Sequence, residues 1–429
     1  MTERLAIIDG LRSPMAKAGT ALKDTPVDDL GATVARELIN RTNVPAGEID
    51  EVIIGNVAQP ANAANVSRVI ALKADIPINV PAYTVHRNCA SGMESITTAW
   101  NKIAAGHGSV FLAGGAESMS NIPLLFNREY SEFMNRLMRA KTGRQRLATL
   151  LGFRLRMLKP EIGLMQGLTD PVSGLIMGMT AENLAREFHI TREEQDRFAL
   201  RSHELAIDAR KQGLLDGEIV PVPAWPDFSN LVTEDIGPRE NQSMESLGKL
   251  RPYFDRRNGT VTVGNSSQVT DGAAVALVMS ESEAKKRGWE PLGYVRDYAY
   301  ASLEPERMGL GPVYATSRLF DRTGATMKDI EYTEINEAFA AQVLACERAF
   351  GSDSFAKTFL GKEQKVGELD TDNLNAQGGA IAVGHPVGMT GTRIVIHTLR
   401  ELRRQGKNTG LASLCVGGGQ GAALLLEVA

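Results

Sequence analysis

The sequence lacks the features of secreted, membrane-spanning and nucleic-acid-binding proteins. Its 429 residues contain three cysteines, an odd number without zinc-ligand spacing, so neither a disulfide framework nor a zinc site is expected. It has no run of about eighteen apolar residues that could form a spanning helix. The net charge of −4 and the lack of a long like-charge tail argue against general nucleic-acid binding. The first ten residues have no signal-peptide core, and we therefore expect a cytoplasmic protein with reduced thiols.

The chain does contain enough apolar material for more than one hydrophobic core. Apolar residues form 43% of the sequence and charged residues 23%, which is ordinary for a soluble globular protein. Because 429 residues exceed the size at which a single core usually keeps growing, we expect two or three packed units.

Two parts of the chain repeat the same order of elements. Each has a buried strand, a turn followed by a helix, and an apolar strand that ends in glycines. Strands that alternate with helices indicate mixed sheets covered by helices. The sequence therefore predicts an α/β fold made of two duplicated halves. The first half comprises 1–120 plus 251–283, the second comprises 284–429, and 121–250 is an insertion.

The insertion contains a strongly basic amphipathic segment. Residues 128–159 carry nine basic side chains against two acids, interleaved with leucine, methionine and phenylalanine. Basic amphipathic helices lie on anionic membranes or dock a partner protein, and they also form solvated caps over substrate pockets. The pattern alone leaves both interpretations open.

One cysteine stands where an apolar stretch ends and an amphipathic helix begins. Cys89 precedes Met93, Ile96 and Trp100, which recur at helical spacing. Free amides and the helix dipole at a helix N-terminus favour a thiolate, the reactive form of cysteine. Cys89 is therefore a candidate nucleophile, with a buried structural cysteine as the alternative.

The second half supplies partners for this thiol. His385 lies in a glycine-rich turn before a helix, Asn336 and Cys415 end apolar strands, and Gly417 belongs to a glycine run whose amides can face an oxyanion. Strand ends and helix starts of α/β sheets gather at one edge, so we expect these residues to meet Cys89 between the halves. Two cysteines and an imidazole suit carbon–carbon bond cleavage or formation next to a thioester.

Five motifs together resemble the thiolase family. In chain order they are Asn88-Cys89-Ala90-Ser91-Gly92, Gly114-Gly115-Ala116-Glu117-Ser118-Met119, Asn336-Glu337-Ala338-Phe339, Gly384-His385-Pro386 and Cys415-Val416-Gly417. The resemblance extends from the first strand to the last. It implies a thiolase fold of two similar halves stacked in five layers, α-β-α-β-α, with a loop domain inserted in the first half, and a dimer or tetramer as the assembly.

The resemblance also implies a role for each candidate residue. Cys89 would carry the acyl group as a thioester, and His385 would activate Cys89 and help hold the thioester oxygen. Cys415 would protonate or deprotonate the acetyl carbon. Asn336 would position a water in one oxyanion site, and the backbone amides of Cys89 and Gly417 would form the other.

The resemblance further implies contacts with coenzyme A. Arg239, Ser246 and Ser267 would lie near its nucleotide or pantetheine, with helix capping or turn bonding as the alternative for the two serines. CoA and acyl-CoA would be substrates, with no cofactor and no metal.

Within the family, the basic insertion and segments 359–362 and 397–402 resemble the β subunit of fatty-acid oxidation complexes. This implies degradative thiolysis of medium or long 3-oxoacyl-CoA, and a hydratase/dehydrogenase α subunit or an anionic membrane as the partner of residues 128–159. That subgroup commonly has histidine at the position of Asn336 and alanine at that of Gly417. Ile176 replaces the histidine of short-chain acetoacetyl-CoA thiolases. A short-chain acetoacetyl-CoA thiolase and a non-catalytic lipid-binding protein are the alternatives.

Overall fold

The computed structural model describes residues 3–429, and a ten-stranded mixed sheet runs through them. The strands are β1 (Leu5–Arg12), β2 (Ala16–Lys17), β3 (Glu51–Gly55), β4 (Ala82–Val85), β5 (Val110–Ser118), β6 (Leu124–Phe126), β7 (Pro160–Ile162), β8 (Val222–Pro223), β9 (Leu231–Val232), β10 (Thr270–Ser280), β11 (Gly293–Ser302), β12 (Tyr332–Ile335), β13 (Thr409–Val416) and β14 (Gln420–Glu427). The helices are α1 (Val27–Thr42), α2 (Val66–Lys73), α3 (Ser91–Ala104), α4 (Arg128–Arg139), α5 (Gly143–Leu151), α6 (Gly163–Gly167), α7 (Met177–Glu187), α8 (Arg192–Lys211), α9 (Met244–Gly248), α10 (Glu281–Arg287), α11 (Gly311–Thr323), α12 (Ala340–Phe350), α13 (Asp353–Phe355), α14 (Ala380–Val383) and α15 (Val387–Gln405).

The large sheet consists of two parts with the same strand order. The first part is β4-β3-β5-β10-β1, the second is β12-β13-β14-β11, and an antiparallel pairing of β1 with β11 joins them. Beyond β12, Leu374 forms a parallel bridge with Thr333, in the place that β4 takes beside β3. The predicted duplication is therefore visible as repeated topology.

A shared irregularity strengthens this correspondence. The pairing of β1 with β10 shifts between Ile7 and Asp9, and that of β11 with β14 shifts between Val295 and Asp297. At each bulge the aspartate Oδ1 accepts a hydrogen bond from the next backbone amide, at 2.8 Å for Asp9 and 2.7 Å for Asp297. Bulges re-aim a strand and are structural features in their own right, so their repetition marks the two halves as copies of one unit.

Three buried apolar layers separate the sheets and helices. One lies between the first half's sheet and helices α1 and α2, and another lies between the second half's sheet and helices α11 and α12. The middle layer packs α3 and α15 against both parts of the sheet. The order is helix, sheet, helix, sheet, helix, which confirms the predicted five-layered α/β fold.

Glycines let the two central helices approach each other at their first turns. A Cβ at Gly92 of α3 would lie 2.6 Å from the Thr392 amide nitrogen, and one at Gly391 of α15 would lie 2.5 Å from that of Met93. Real Cβ atoms do not tolerate such distances, so the helices meet backbone to backbone. The residues just before each helix, Cys89 and His385, are brought together by this packing.

The stretch predicted as an insertion contains helices α4 to α9 and two small antiparallel sheets of two strands each, β6–β7 and β8–β9. These strands are two or three residues long, too short for an alternating pattern to stand out in the sequence. The boundaries assigned to this domain stay a prediction. Within residues 3–429, no helix combines the length and apolarity needed to cross a bilayer.

Candidate active site

A cavity of about 770 Å³ opens where the N-termini of α3 and α15 meet. Cys89 from the first half lines it together with His385, Cys415 and Gly417 from the second. The structure therefore places these four predicted residues around one space at the interface between the halves. Asn336 is not part of the cavity wall, but its side chain contacts His385 Nε2.

Cys89 lies on the short connection between β4 and α3. Its pKa is raised above the ordinary value because burial disfavours the thiolate, although the backbone amides of Gly417 and Cys89 lower it in part. Burial outweighs these amides, so the net shift of the pKa opposes the thiolate that the helix start was expected to favour. The two amides are nevertheless placed as the predicted oxyanion donors would have to be.

His385 is buried, and its two ring nitrogens have different surroundings. Nδ1 lies 2.7 Å from Thr390 Oγ1, and that hydroxyl donates its own proton to Pro386 O at 2.9 Å. The hydroxyl can then only accept from Nδ1–H, which makes Nε2 the acceptor nitrogen of the ring. Burial, assisted by the charge of Arg393, lowers the pKa of His385 to about 4. The imidazole is therefore neutral and able to accept a proton at Nε2.

Cys415 and Asn336 come from the ends of neighbouring parallel strands. Cys415 lies on β13, and burial raises the pKa of its thiol well above the ordinary value, with Cys89 close enough to raise it further. Asn336 follows β12, and its Nδ2 lies 3.5 Å from His385 Nε2. Its buried Oδ1 has no hydrogen-bond partner among the described residues, which leaves an acceptor available for a water.

Asn88 was part of a quoted motif, but sequence reasoning gave it no role. Its φ is 43°, in the left-handed region that asparagine tolerates better than most residues. Its Nδ2 donates to Gly417 O at 2.8 Å, which ties the Cys89 loop to the glycine turn after β13. Asn88 therefore links the two loops that carry the oxyanion amides.

Glu117 was also quoted in a motif without a role. It is 1% exposed, lines the cavity and accepts hydrogen bonds from Asn56 and from the backbone amides of Val57, Ala58 and Gly388. Its position at the end of an apolar strand, among glycines and small residues, was the available sequence signal.

The three predicted CoA contacts are placed differently. Ser267 lines the cavity. Ser246 lies in α9, where it takes part in a capping box with Ser243 and donates to Gln242 Oε1 at 2.7 Å. Arg239 is exposed and does not line the cavity. Of the three, only Ser267 is thus beside the predicted catalytic groups. The hydrogen bonds of Ser246 are those of local helix capping.

The cavity wall beyond the reactive groups is mainly apolar. Its apolar side chains include Met119, Ile122, Leu125, Leu164, Leu168, Met177, Met308 and Phe339. The segments that flank 128–159 supply several of these, whereas no residue of 128–159 lines the cavity. The interpretation of 128–159 as a solvated cap over the substrate pocket stays a prediction, as does its docking to a membrane or a partner protein.

The exposed side of residues 128–159 carries apolar side chains among the basic ones. Leu147, Leu151 and Leu155 are 59%, 80% and 81% exposed, while Phe133 and Met157 are buried beneath them. We call the exposed residues of 128–159 the basic helical surface.

Comparison with known proteins bears on both halves. The family described as "Thiolase, N-terminal domain" matches residues 5–282, and "Thiolase, C-terminal domain" matches 289–428. The chain belongs to the thiolase family. Thiolases are acyltransferases, so the protein is an enzyme of that class.

Individual relatives cover almost the whole chain. A 3-ketoacyl-CoA thiolase of Yersinia enterocolitica is 42% identical over 427 residues, which is 99% of this chain and 97% of that one, and one of Photorhabdus laumondii matches equally well. Among solved structures, Bacillus anthracis acetyl-CoA acetyltransferase has a TM-score of 0.87 at 37% identity, with 99% of each chain covered. Human mitochondrial 3-ketoacyl-CoA thiolase in complex with CoA has a TM-score of 0.85 at 34% identity, with 99% of this chain and 98% of that one covered.

Proposed function

We propose that this thiolase catalyses the reversible, CoA-dependent thiolysis of 3-oxoacyl-CoA to acetyl-CoA and a shortened acyl-CoA, the last step of fatty-acid β-oxidation. The observation that carries the proposal is the meeting of Cys89, His385 and Cys415 on one cavity between the halves. Relatives named 3-ketoacyl-CoA thiolase support the substrate class. CoA and acyl-CoA are both substrates in this scheme, and no cofactor takes part.

The first half-reaction begins with proton transfer from Cys89 Sγ to His385 Nε2. Both groups are uncharged before substrate binds, so the transfer accompanies attack of the sulfur on the 3-oxo carbon. The amides of Cys89 and Gly417 stabilise the resulting oxyanion. When the bond between the second and third carbons breaks, Cys415 protonates the acetyl carbon, while His385 and a water on Asn336 hold the enolate oxygen.

The second half-reaction transfers the acyl group from Cys89 to CoA. Cys415, now deprotonated, takes the proton of the CoA thiol, and the CoA sulfur attacks the Cys89 thioester at the same pair of amides. Collapse of the tetrahedral intermediate releases the shortened acyl-CoA, and His385 returns its proton to Cys89. Every proton taken in one half-reaction is thus returned in the other.

Substitution of the proposed nucleophile tests the function. Cys89→Ser should abolish thiolysis while CoA binding survives, because the hydroxyl is a much weaker nucleophile at the same position. Cys346→Ser is the matched control, since Cys346 is buried and does not line the cavity. Wild-type thiolysis by Cys89→Ser contradicts the proposal. Lack of selective, acyl-CoA-protected labelling of Cys89 by iodoacetamide favours a non-catalytic lipid-binding protein instead.

A short-chain acetoacetyl-CoA thiolase is the second candidate, favoured by the similarity to an acetyl-CoA acetyltransferase. The apolar wall of the cavity supports longer acyl chains, because each buried methylene contributes about 0.8 kcal/mol. Thiolysis rates across a ladder of 3-oxoacyl-CoA lengths separate the two: kcat/KM should rise beyond four carbons. A rate that falls after acetoacetyl-CoA favours the second candidate.

The assembly that we propose is a homodimer or tetramer. Strand β4 is the edge of the first half's sheet, its four residues are half-buried, and it lies just before Cys89. Exposed sheet edges are normally covered, and a second copy of the chain would cover this one. Light scattering of the purified protein tests the assembly, and a monomeric mass contradicts it.

The basic helical surface is proposed to bind an anionic membrane surface in the cytoplasm. Exposed leucines beside arginines suit the boundary between headgroups and acyl chains. Co-sedimentation with anionic vesicles, but not with zwitterionic ones, is expected and should be lost on deletion of residues 128–159. Deletion that leaves vesicle binding unchanged contradicts the proposal, and co-purification of a hydratase/dehydrogenase that depends on 128–159 assigns the surface to a protein partner.

A further inference from the structure

Glu117 is a buried carboxylate beside the reactive groups that the mechanism above does not use. Its Oε1 accepts from Asn56 Nδ2 at 3.1 Å and from the Ala58 amide at 2.9 Å. Its Oε2 accepts from the amides of Val57 at 3.1 Å and Gly388 at 2.9 Å. All four partners are donors, so the surroundings fit a carboxylate and not a group that must itself donate.

One of these four contacts crosses between the two halves. Gly388 lies in the first turn of α15, three residues after His385, whereas Glu117 and its other partners belong to the first half. The carboxylate therefore joins the loop after β3 and the end of β5 to the turn that carries His385. This is the place where nucleophile and base have to be aligned.

A second buried carboxylate, Glu337, holds α14, the short helix just before the same turn. Glu337 accepts from the Ile381 amide at 3.2 Å and from Ser202 Oγ at 2.7 Å. Glu337 belongs to the second half, like His385 itself, and so cannot set the distance to Cys89 directly. Of the two carboxylates, only Glu117 relates the His385 turn to the half that carries the nucleophile.

We propose that Glu117 is a positioning residue, which aligns the His385 imidazole with the Cys89 thiol by fixing the Gly388 amide across the interface between the halves. The proposal rests on the roles assigned above to Cys89 and His385. Hydrogen bonds to a charged acceptor are about twice as strong as those between neutral groups, so a carboxylate holds the Gly388 amide effectively.

The charge of Glu117 has a second effect on the same site. Burial, together with Asp271 on β10, raises the pKa of Glu117 to about 7, and the carboxylate in turn raises the pKa of Cys89. The other titratable groups on the cavity wall are Cys89, Asp170, His385 and Cys415. Removing the charge should thus ease ionisation of Cys89 while it loosens His385. Substitution of a residue that only stabilises the fold would not change both the ionisation of Cys89 and the alignment of His385.

Glu117→Gln tests the proposal, because glutamine keeps the shape but turns an NH2 group toward backbone donors. We expect kcat for thiolysis to fall between about 10- and 100-fold, as for a small misplacement of a catalytic group. The KM for CoA should change less than about twofold, and the midpoint of Cys89 alkylation by iodoacetamide should move to lower pH.

Glu182→Gln is the matched control. Glu182 is also 1% exposed and accepts from the backbone amides of Thr260 and Val261, but it does not touch the His385 turn. It should keep the wild-type kcat and alkylation midpoint. E117Q with a wild-type kcat or an unmoved midpoint overturns the proposal, and so does an equal loss of kcat in E182Q.

Glu117→Asp carries the test if E117Q does not fold. Aspartate keeps the charge but is one methylene shorter, so kcat should fall while the alkylation midpoint stays; a wild-type kcat in E117D overturns the proposal. Wild-type protein in the same assay distinguishes a failure of the proposed function from a failure of the role proposed for Glu117. No thiolysis by the wild type refutes the proposed function, whereas matching rates in an active wild type and E117Q refute only the role of Glu117.

Discussion

Cys89 and His385 are both uncharged in the folded protein, because burial raises the pKa of the thiol and lowers that of the imidazole. The substrate's carbonyl supplies what the pair lacks, an oxygen on which the negative charge can settle between two amides. The reactivity of Cys89 is thus tied to the binding of a thioester substrate.

Alkylation of Cys89 should therefore depend on pH in a defined direction. Because its pKa is raised, the thiolate fraction at neutral pH is small, and the rate of iodoacetamide labelling should keep increasing above about pH 8.5, the midpoint for a free cysteine. Peptide mapping gives the rate at each cysteine. Cys346, whose burial raises its pKa to about 12, is the internal control and should stay unlabelled. A midpoint for Cys89 below about pH 8 would mean that the amides outweigh burial.

Asn88 combines a left-handed backbone with a side-chain bond to Gly417 O, and two substitutions separate these contributions. Asn88→Gly keeps the backbone accessible but removes the bond, so kcat/KM should fall about tenfold through a less ordered Gly417 amide. Asn88→Asp places a carboxylate against the Gly417 carbonyl, and its kcat/KM should fall further than that of Asn88→Gly. Single-turnover acylation measures both variants, and wild-type rates in Asn88→Asp would contradict a role for the bond.

Gly115 of β5 is the point where α15 comes closest to the first half's sheet. A Cβ there would lie 1.9 Å from Gly388 O, so Gly115→Ala must push the first turn of α15 away. Overpacking of this kind costs about 1–3 kcal/mol, and the displaced turn carries His385, so both thermal stability and kcat should fall. Gly248→Ala is the control, because Gly248 lies in α9 outside the cavity wall and a Cβ there meets nothing within 4 Å. Thermal unfolding by circular dichroism and thiolysis rates compare the pair, and equal behaviour contradicts the close approach.

The elements around the site were predictable because their patterns are local. Strand β10 extends over Thr270–Ser280, where the apolar run at 273–279 is typical of a buried strand, and α3 begins at Ser91, two residues after Cys89. The two small sheets of the insertion were missed because strands of two or three residues carry no periodicity. The pKa of Cys89 was misjudged for a similar reason, since burial depends on neighbours from both halves that no local pattern specifies.

A buried ionic network attaches the insertion to the central layers. Glu218, 2% exposed, accepts from Arg12 of β1 and lies 2.9 Å from His397 Nδ1 of α15. These partners hold the pKa of Glu218 well below its usual range, and that of His397 is raised. The network joins three distant parts of the chain, which is why the roles of Glu218 and His397 could not be read from spacing alone.

Breaking this network should destabilise the fold more than breaking an exposed ion pair. Glu218→Gln leaves the buried Arg12 guanidinium with Asp235 as its remaining charge partner and removes the carboxylate beside His397, and breaking a buried ion pair costs about 3–5 kcal/mol of the free energy of unfolding. Glu193→Gln breaks the exposed pair with Arg197 and should change it by less than about 0.5 kcal/mol. Urea unfolding measures both variants, and equal effects would contradict a structural role for the network.

The network also predicts how stability depends on pH. Since the pKa of Glu218 is lowered, its contribution is present above the ordinary glutamate pKa and is lost as the pH falls through the lowered value. The pKa of His397 is raised, so its contribution is full below the ordinary histidine pKa and is lost as the pH rises through the raised value. In Glu218→Gln the loss of stability at high pH should be smaller, because protonated His397 no longer has this partner. Urea unfolding midpoints between about pH 5 and 9 test this prediction.

The site also depends on when its parts are synthesised. Cys89 leaves the ribosome with the first half, whereas His385 precedes α15 and Cys415 lies on β13, which needs β14 on one side to reach β11. Since domains fold from the N-terminus during translation, the acyl carrier exists long before its proton-transfer partners do. A nascent chain that has not yet reached residue 385 therefore carries Cys89 without the proposed base. The proposed acyl transfer therefore requires a chain synthesised at least through β14.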